Sequence, residues 1–290
     1  MRGYLFGNSV KTIAIFGIMI FLLLLIGEIV GGSGGLVFAL IFSGMSTLLM
    51  FFFSDKIALA MHGARPAGES EYRRLHQIVQ EIATNAGLPK PRVYIVPMAV
   101  PNAFATGRSP GSASVAVTEG VLNVLDEREL RGVIGHEMAH IQHRDILVVT
   151  LAAIVAGAIY MLARWAQWMG FWGMGSDRRR GGLDVILLLL IAIFAPIAAF
   201  LLQMWVSRTR EYMADAQGAR LARDPLSLAS ALKKLHSYNA RKPMDTSPAF
   251  HSLYIVSSFR GIESIFSTHP PVEERIRRLE ELAMKMDYFG

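Results

Sequence analysis

His136-Glu137-Met138-Ala139-His140 is the stretch on which the reading of this chain turns. Two histidines four apart lie one above the other on a single helix face. Their ring nitrogens can meet at one metal ion, at about 2.0–2.1 Å each if the ion is zinc. Glu137, beside the first histidine, can reach a water next to that ion without occupying a coordination position. Upstream, Asp126 with Glu129 three residues later forms an Asp-x-x-Glu capping box. A helix should therefore start there and run through His143. Leu130, Ile134, Met138 and Ile141 give this helix an apolar side opposite its metal side. The competing reading, two solvated histidines on a surface, leaves the cap and the apolar side as coincidences.

A catalytic zinc takes three protein ligands and keeps a fourth position open. Well downstream, Arg208-Thr209-Arg210-Glu211-Tyr212-Met213-Ala214-Asp215 places Glu211 and Asp215 at i and i+4, on one helix face. Alone, the segment reads as a solvated charged helix. Beside the histidine pair, Glu211 reads as the third ligand, and Asp215 as the acceptor that fixes a ligand histidine's N–H.

The rest of the chain says where such a site would sit. Of 290 residues, 52% are hydrophobic and only 18% charged, and mean hydropathy is +0.38. Soluble domains carry about a quarter charged residues. With no cysteine, disulfide scaffolds, Cys-ligated metals and thiol nucleophiles are excluded. The formal net charge of +6 suits loops facing an anionic leaflet better than nucleic acid, for which no binding motif appears.

Four apolar spans are legible: Thr12–Val30, Gly35–Phe53, Ile146–Ala163 and Val185–Val206. The first two each match the hydrocarbon core of a bilayer, roughly 30 Å at about 1.5 Å per residue. Gly31-Gly32-Ser33-Gly34 should turn them into a hairpin. The first span is longer than a signal-peptide core and is followed at once by another, which argues against cleavage. The alternative for the third and fourth spans is a buried core hairpin. Arg2, Lys11, Lys56 and Arg65 flank the first hairpin and put both its ends in the cytoplasm by the positive-inside rule. Arg164, Arg178, Arg179 and Arg180, between the third and fourth spans, vote against that arrangement.

Between the spans lie polar blocks. Glu71–Ala86 reads as an amphipathic helix with Leu75, Ile78, Val79 and Ile82 inward. Arg92–Val96 and Ser112–Thr118 alternate as strands. Pro225–Ser237, with Asp224 as its cap, and Val272–Met284 read as helices. The expected fold is α+β, mostly helical, with a small sheet and four transmembrane helices. Its expected divisions are 1–53, an N-terminal hairpin; 54–145, a block with the zinc-binding helix; 146–206, a second hairpin; and 207–290, a block with the third ligand and C-terminal helices.

The combination of His136-Glu137-x-x-His140, intervening apolar spans and Glu211-x-x-x-Asp215 resembles the HtpX membrane zinc metalloproteases, relatives of the zinc-dependent CAAX prenyl proteases. Pro101-Asn102-Ala103-Phe104-Ala105-Thr106-Gly107 and Thr268-His269-Pro270-Pro271 match the same family. The likeness covers nearly the whole chain. It implies a gluzincin fold in a bacterial or archaeal plasma membrane, with one Zn²⁺ per chain held by His136, His140 and Glu211 and the site facing the cytoplasm. It implies cleavage of misfolded or damaged membrane proteins, with substrate added as a strand beside the small sheet. It also implies that His269 helps bind the oxyanion, against the plainer reading of a histidine at a helix entry. Asn102 could hold substrate backbone, though an Asn after Pro is also a common turn residue.

The expected reaction is hydrolysis without a covalent acyl-enzyme. Glu137 takes a proton from the attacking water and returns it to the leaving amine. Two rival readings differ in class. An intramembrane zinc protease would take its third ligand from Asp184, but Arg131, Gln142, His143, Arg144 and Asp145 make the motif's surroundings too polar for mid-bilayer. A non-enzymatic membrane metal carrier or chaperone-like scaffold would place ionisable groups inside its spans, where only Glu28 stands.

Overall fold

The structure, a computed structural model, describes residues 2–151, 208–241 and 270–289. A long helix, α1 (Arg2–Met61), leads into a four-stranded sheet surrounded by helices. The strands are β1 (Arg65–Pro66), β2 (Arg92–Val96), β3 (Ala103–Thr106) and β4 (Ser114–Thr118). The helices that follow α1 are α2 (Arg73–Ala86), α3 (Glu119–Val124), α4 (Glu127–Gln142), α5 (Arg208–Ala222), α6 (Pro225–Arg241) and α7 (Val272–Phe289). A further helix begins at residue 146 and covers 146–151.

The sheet is mixed, in the order β1-β2-β4-β3. β2 and β4 run parallel, with Val93 opposite Val115 and Ile95 opposite Val117. β3 pairs antiparallel with β4 and forms one edge. Side chains alternate between the faces of a strand. Val93, Ile95, Ala103, Ala105, Val115 and Val117 join the main core with α2, α4, α5, α6 and α7. Phe104, Ala116 and Val96 face the other way and meet Leu59 near the end of α1. Both faces are covered, which is why Val93, Ile95 and Val96 of β2 and Val115, Ala116 and Val117 of β4 are apolar on either face.

α4 is the central helix, packed on α2, α5, α6 and β3. Its capping box forms as the spacing requires: Asp126 accepts from the Glu129 N–H and Glu129 from the Asp126 N–H, both at 2.9 Å. The expected division into an apolar side and a metal side is too simple. From Glu129 to Ile141 only Arg131 and His140 escape full burial. Asp224 caps α6 by accepting from Ser227 N–H at 3.1 Å.

The expected apolar spans are described in part. α1 is two helical stretches meeting at Gly32, the one residue whose backbone (φ 55°, ψ −144°) leaves the helical region. The expected four-residue linker thus reduces to one glycine, whose missing Cβ permits that φ. Gly32–Met61 is, among the described residues, the one helix long and apolar enough to cross a membrane. It continues past Phe53, where its apolar run ends, onto the sheet. The third span beyond residue 151 and all of the fourth span lie outside the described residues.

Candidate active site

α4 presents His136 and His140 on one face, their Nε2 atoms 3.2 Å apart. α5 brings Glu211 opposite them, its carboxylate oxygens 3.8 Å from His136 Nε2 and 3.7 Å from His140 Nε2. A tetrahedral ion bonded at about 2.0–2.1 Å separates its ligand atoms by about 3.3 Å. These three residues form the one group among the described residues whose ligand atoms converge closely enough to hold a metal ion. Asp184, the alternative carboxylate, and His269 lie outside the described residues.

Each histidine has a carboxylate behind it. His136 Nδ1 lies 2.9 Å from Asp215 Oδ1, and a carboxylate at that distance favours a proton on Nδ1, which leaves Nε2 to face a cation. His140 Nδ1 is hydrogen-bonded to Asp145 Oδ2 at 3.1 Å. Asp145 was not singled out from the sequence, and the backbone explains why. α4 ends with Arg144 N–H on the Ile141 carbonyl at 3.1 Å and Asp145 N–H on the His140 carbonyl at 3.3 Å. This is a Schellman ending, which needs a left-handed residue, and Arg144 supplies it at φ 56°. Glycine is the usual sequence signal for that turn, and none stands there.

Arg275 is the second omission. It grips Asp215 with Nε on Oδ2 at 2.8 Å and Nη2 on Oδ1 at 2.7 Å, and is 0% exposed. Its signal was available: on α7 it lies three residues after Val272 and four before Leu279, a cation within an apolar stripe.

The electrostatics follow from burial and from this acid-rich surround. Burial lowers the His136 pKa, favouring the neutral ring that a metal requires. For His140 burial works the same way, but Asp145, Glu211 and Glu137 outweigh it and push the value up to about 10. Three carboxylates around two imidazoles favour positive charge at this point, which is the fit a metal cation needs. Burial also opposes ionisation of Asp215, yet Arg275 and His136 hold it down at about 2.

Glu137 is 6% exposed, and burial pushes its carboxyl up to about 7. Its Oε2 accepts from the Ala105 backbone N–H at 2.8 Å. That bond reaches the outer edge of β3, because in the β3–β4 pairing the bonds to β4 are made from alternate residues and Ala105 faces away. The stretch Pro101–Gly107 is therefore this edge strand with its flanks. Asn102 lies just before β3, 2% exposed. Its backbone N–H donates to Thr118 Oγ1 at 2.8 Å and its carbonyl accepts from Thr118 N–H at 2.9 Å.

Comparison with known proteins agrees with this geometry. The profile of peptidase family M48 matches residues 69–283. "Protease HtpX homolog" of Persephonella marina is 48% identical over 285 residues, spanning 96% of this chain and 99% of that protein. "Protease HtpX homolog" of Pyrococcus furiosus is 46% identical over 283 residues, covering 97% and 98% of the two chains. The crystal structure of S. mikatae Ste24p matches 96% of this chain and 67% of its own with a TM-score of 0.51 at 19% identity, a likeness of fold. A family profile spanning most of the chain and full-length relatives near half identity place this protein in peptidase family M48, among the HtpX proteases.

Proposed function

We propose that this chain is a membrane-bound zinc endopeptidase that cleaves misfolded or damaged membrane proteins in stress-response quality control. The observation that carries the reading is the convergence of His136, His140 and Glu211 beside a buried Glu137. His136, His140 and Glu211 would hold one zinc, the metal that an imidazole and carboxylate donor set with an open fourth position suits. Bound there, zinc would supply Lewis acidity to a carbonyl oxygen and bring the pKa of a water to about 7.

The chain's own groups divide the remaining work. Glu137 takes the proton of the attacking water and carries it to the leaving amine; a carboxyl near neutrality can do both. Asp215 and Asp145 hold the two imidazoles in the ligating tautomer. A substrate strand pairs with the outer edge of β3, beside Glu137, and Asn102 helps to hold its backbone. His269 serves the oxyanion. The multi-pass topology and the cytoplasmic placement of the site belong to this proposal. They are supported by the apolar spans and the positive-inside charges of the first hairpin.

The test is zinc content and casein cleavage of the detergent-purified protein. Glu137→Gln should keep zinc and lose cleavage; an active variant rules out Glu137 as the base. Glu211→Ala should lose zinc; full occupancy rules out Glu211 as a ligand.

A further inference from the structure

From Gly32 onward α1 runs as one helix to the sheet, and its side chains change character along the way. Phe38, Ile41, Leu48 and Phe52 are exposed, whereas Ser54, Asp55, Ala58 and Leu59 are buried. Asp55 is ion-paired with Arg92 at 2.6 Å. An ion pair is costly in hydrocarbon, so lipid must end before it. Back from Phe53 to the kink at Gly32 is about 32 Å of helix, close to the ~30 Å hydrocarbon thickness. The boundary thus runs through Phe52 and Phe53.

Two cations stand over those rings. Lys56 Nζ lies 5.3 Å from the Phe53 centroid, and the Arg108 guanidinium carbon 5.0 Å from the Phe52 centroid. Lys56 is on the next turn of α1. Arg108 comes from the hairpin that joins β3 to β4. Both residues are exposed, and neither has an acidic partner among the described residues. A ring face attracts a cation but accepts no conventional hydrogen bond, so their N–H donors remain for oxygen acceptors. At this depth the acceptors are lipid phosphates.

We propose that the β3–β4 hairpin is seated on the bilayer surface, with Arg108 and Lys56 binding the headgroup phosphates of anionic phospholipids. The inference rests on α1 crossing the membrane, as the proposed function has it. It adds a consequence for the site. Arg108 is three residues beyond Ala105, about 10 Å of extended chain. Lipid contact at Arg108 therefore holds the edge strand that bonds Glu137 at a set height above the headgroups. A segment released from the bilayer meets this edge first.

The chain has no cysteine, and a Cβ at Gly111 meets nothing within 4 Å, so Gly111→Cys can carry a fluorophore at the hairpin tip. The full-length protein is reconstituted in phosphatidylcholine vesicles with and without phosphatidylglycerol. Headgroup-spin-labelled lipid should quench the probe. Phosphatidylglycerol retained on purification should fall about fivefold for each of Arg108→Gln and Lys56→Gln, and soluble glycerol phosphate should not displace it. Quenching by aqueous iodide alone, unchanged lipid retention in the double variant, or displacement by glycerol phosphate would each overturn the proposal. Soluble-peptide cleavage should be unchanged in these variants. Absent cleavage by the wild type would instead count against the peptidase reading and leave the lipid result standing.

Discussion

Gly135 on α4 and Gly218 on α5 touch backbone to backbone. A Cβ on Gly135 would stand 2.5 Å from the Gly218 carbonyl oxygen, and one on Gly218 would stand 2.5 Å from the His136 nitrogen. Glu211 lies about two turns before Gly218, so this crossing sets how far its carboxylate reaches toward the two histidines. Gly218→Ala should destabilise the protein by about 1–3 kcal/mol through overpacking and should lower bound metal by moving Glu211 away. Metal-to-protein ratios after gel filtration check this; full metal content in the variant would separate the crossing from the site.

Asp145→Asn keeps the size of the side chain but removes the charge behind His140, 3.1 Å away. Metal affinity should drop about 10–100-fold while helix content stays the same. Competition with a fluorescent chelator measures it, with Asp215→Asn as the parallel case on His136. An unchanged affinity in Asp145→Asn would mean that the contact does not orient His140.

Arg275→Met would leave Asp215 buried without its bidentate partner. The expected cost is about 3–5 kcal/mol, seen as a lower unfolding temperature. The pH dependence has a definite sign. Asp215 sits at about 2 in the fold against an ordinary 3.8, so its contribution is complete above the ordinary value and is lost as pH falls toward 2. In the wild type that contribution is on the order of 2 kcal/mol. Unfolding temperatures measured from pH 2 to pH 6 should show this acid-side loss in the wild type and a weaker one in Arg275→Met.

Glu137 behaves oppositely in the metal-stripped protein. Its value in the fold, about 7, lies above the ordinary 4.5, so the stability it lends is full below 4.5 and gone by the time pH passes 7. Glu137→Gln has nothing to ionise. Above pH 7 the stripped variant should be the more stable of the two, by on the order of 3 kcal/mol, and the gap should close toward pH 4.5. Parallel melts with chelator present decide it; a gap independent of pH would mean that burial does not hold the Glu137 proton.

Much of the candidate site could be read from the sequence because its spacing is local. His136 with His140, and Glu211 with Asp215, are i, i+4 pairs whose shared faces follow from the helical repeat. The caps at Asp126 and Asp224 and the strand at Arg92–Val96 were legible for the same reason, and the strand expected over Ser112–Thr118 forms from Ser114. Asp145 was hidden because its return to His140 depends on a left-handed arginine, which no sequence rule signals. The course of the chain between Leu151 and Arg208, and the place of His269, lie outside the described residues.

Residue order alone specifies which residues share a helix face or a strand face, and so which side chains could act together within one element. Packing between elements is what makes α4 and α5 cross at two glycines, brings Arg275 from the C-terminal helix to Asp215, and sets the outer edge of β3 against Glu137. The physical reason is that the helical repeat and the strand pleat are built into the backbone geometry of any short segment. How separate segments approach one another is settled instead by the close packing of the whole core, to which residues far apart in the chain contribute at once.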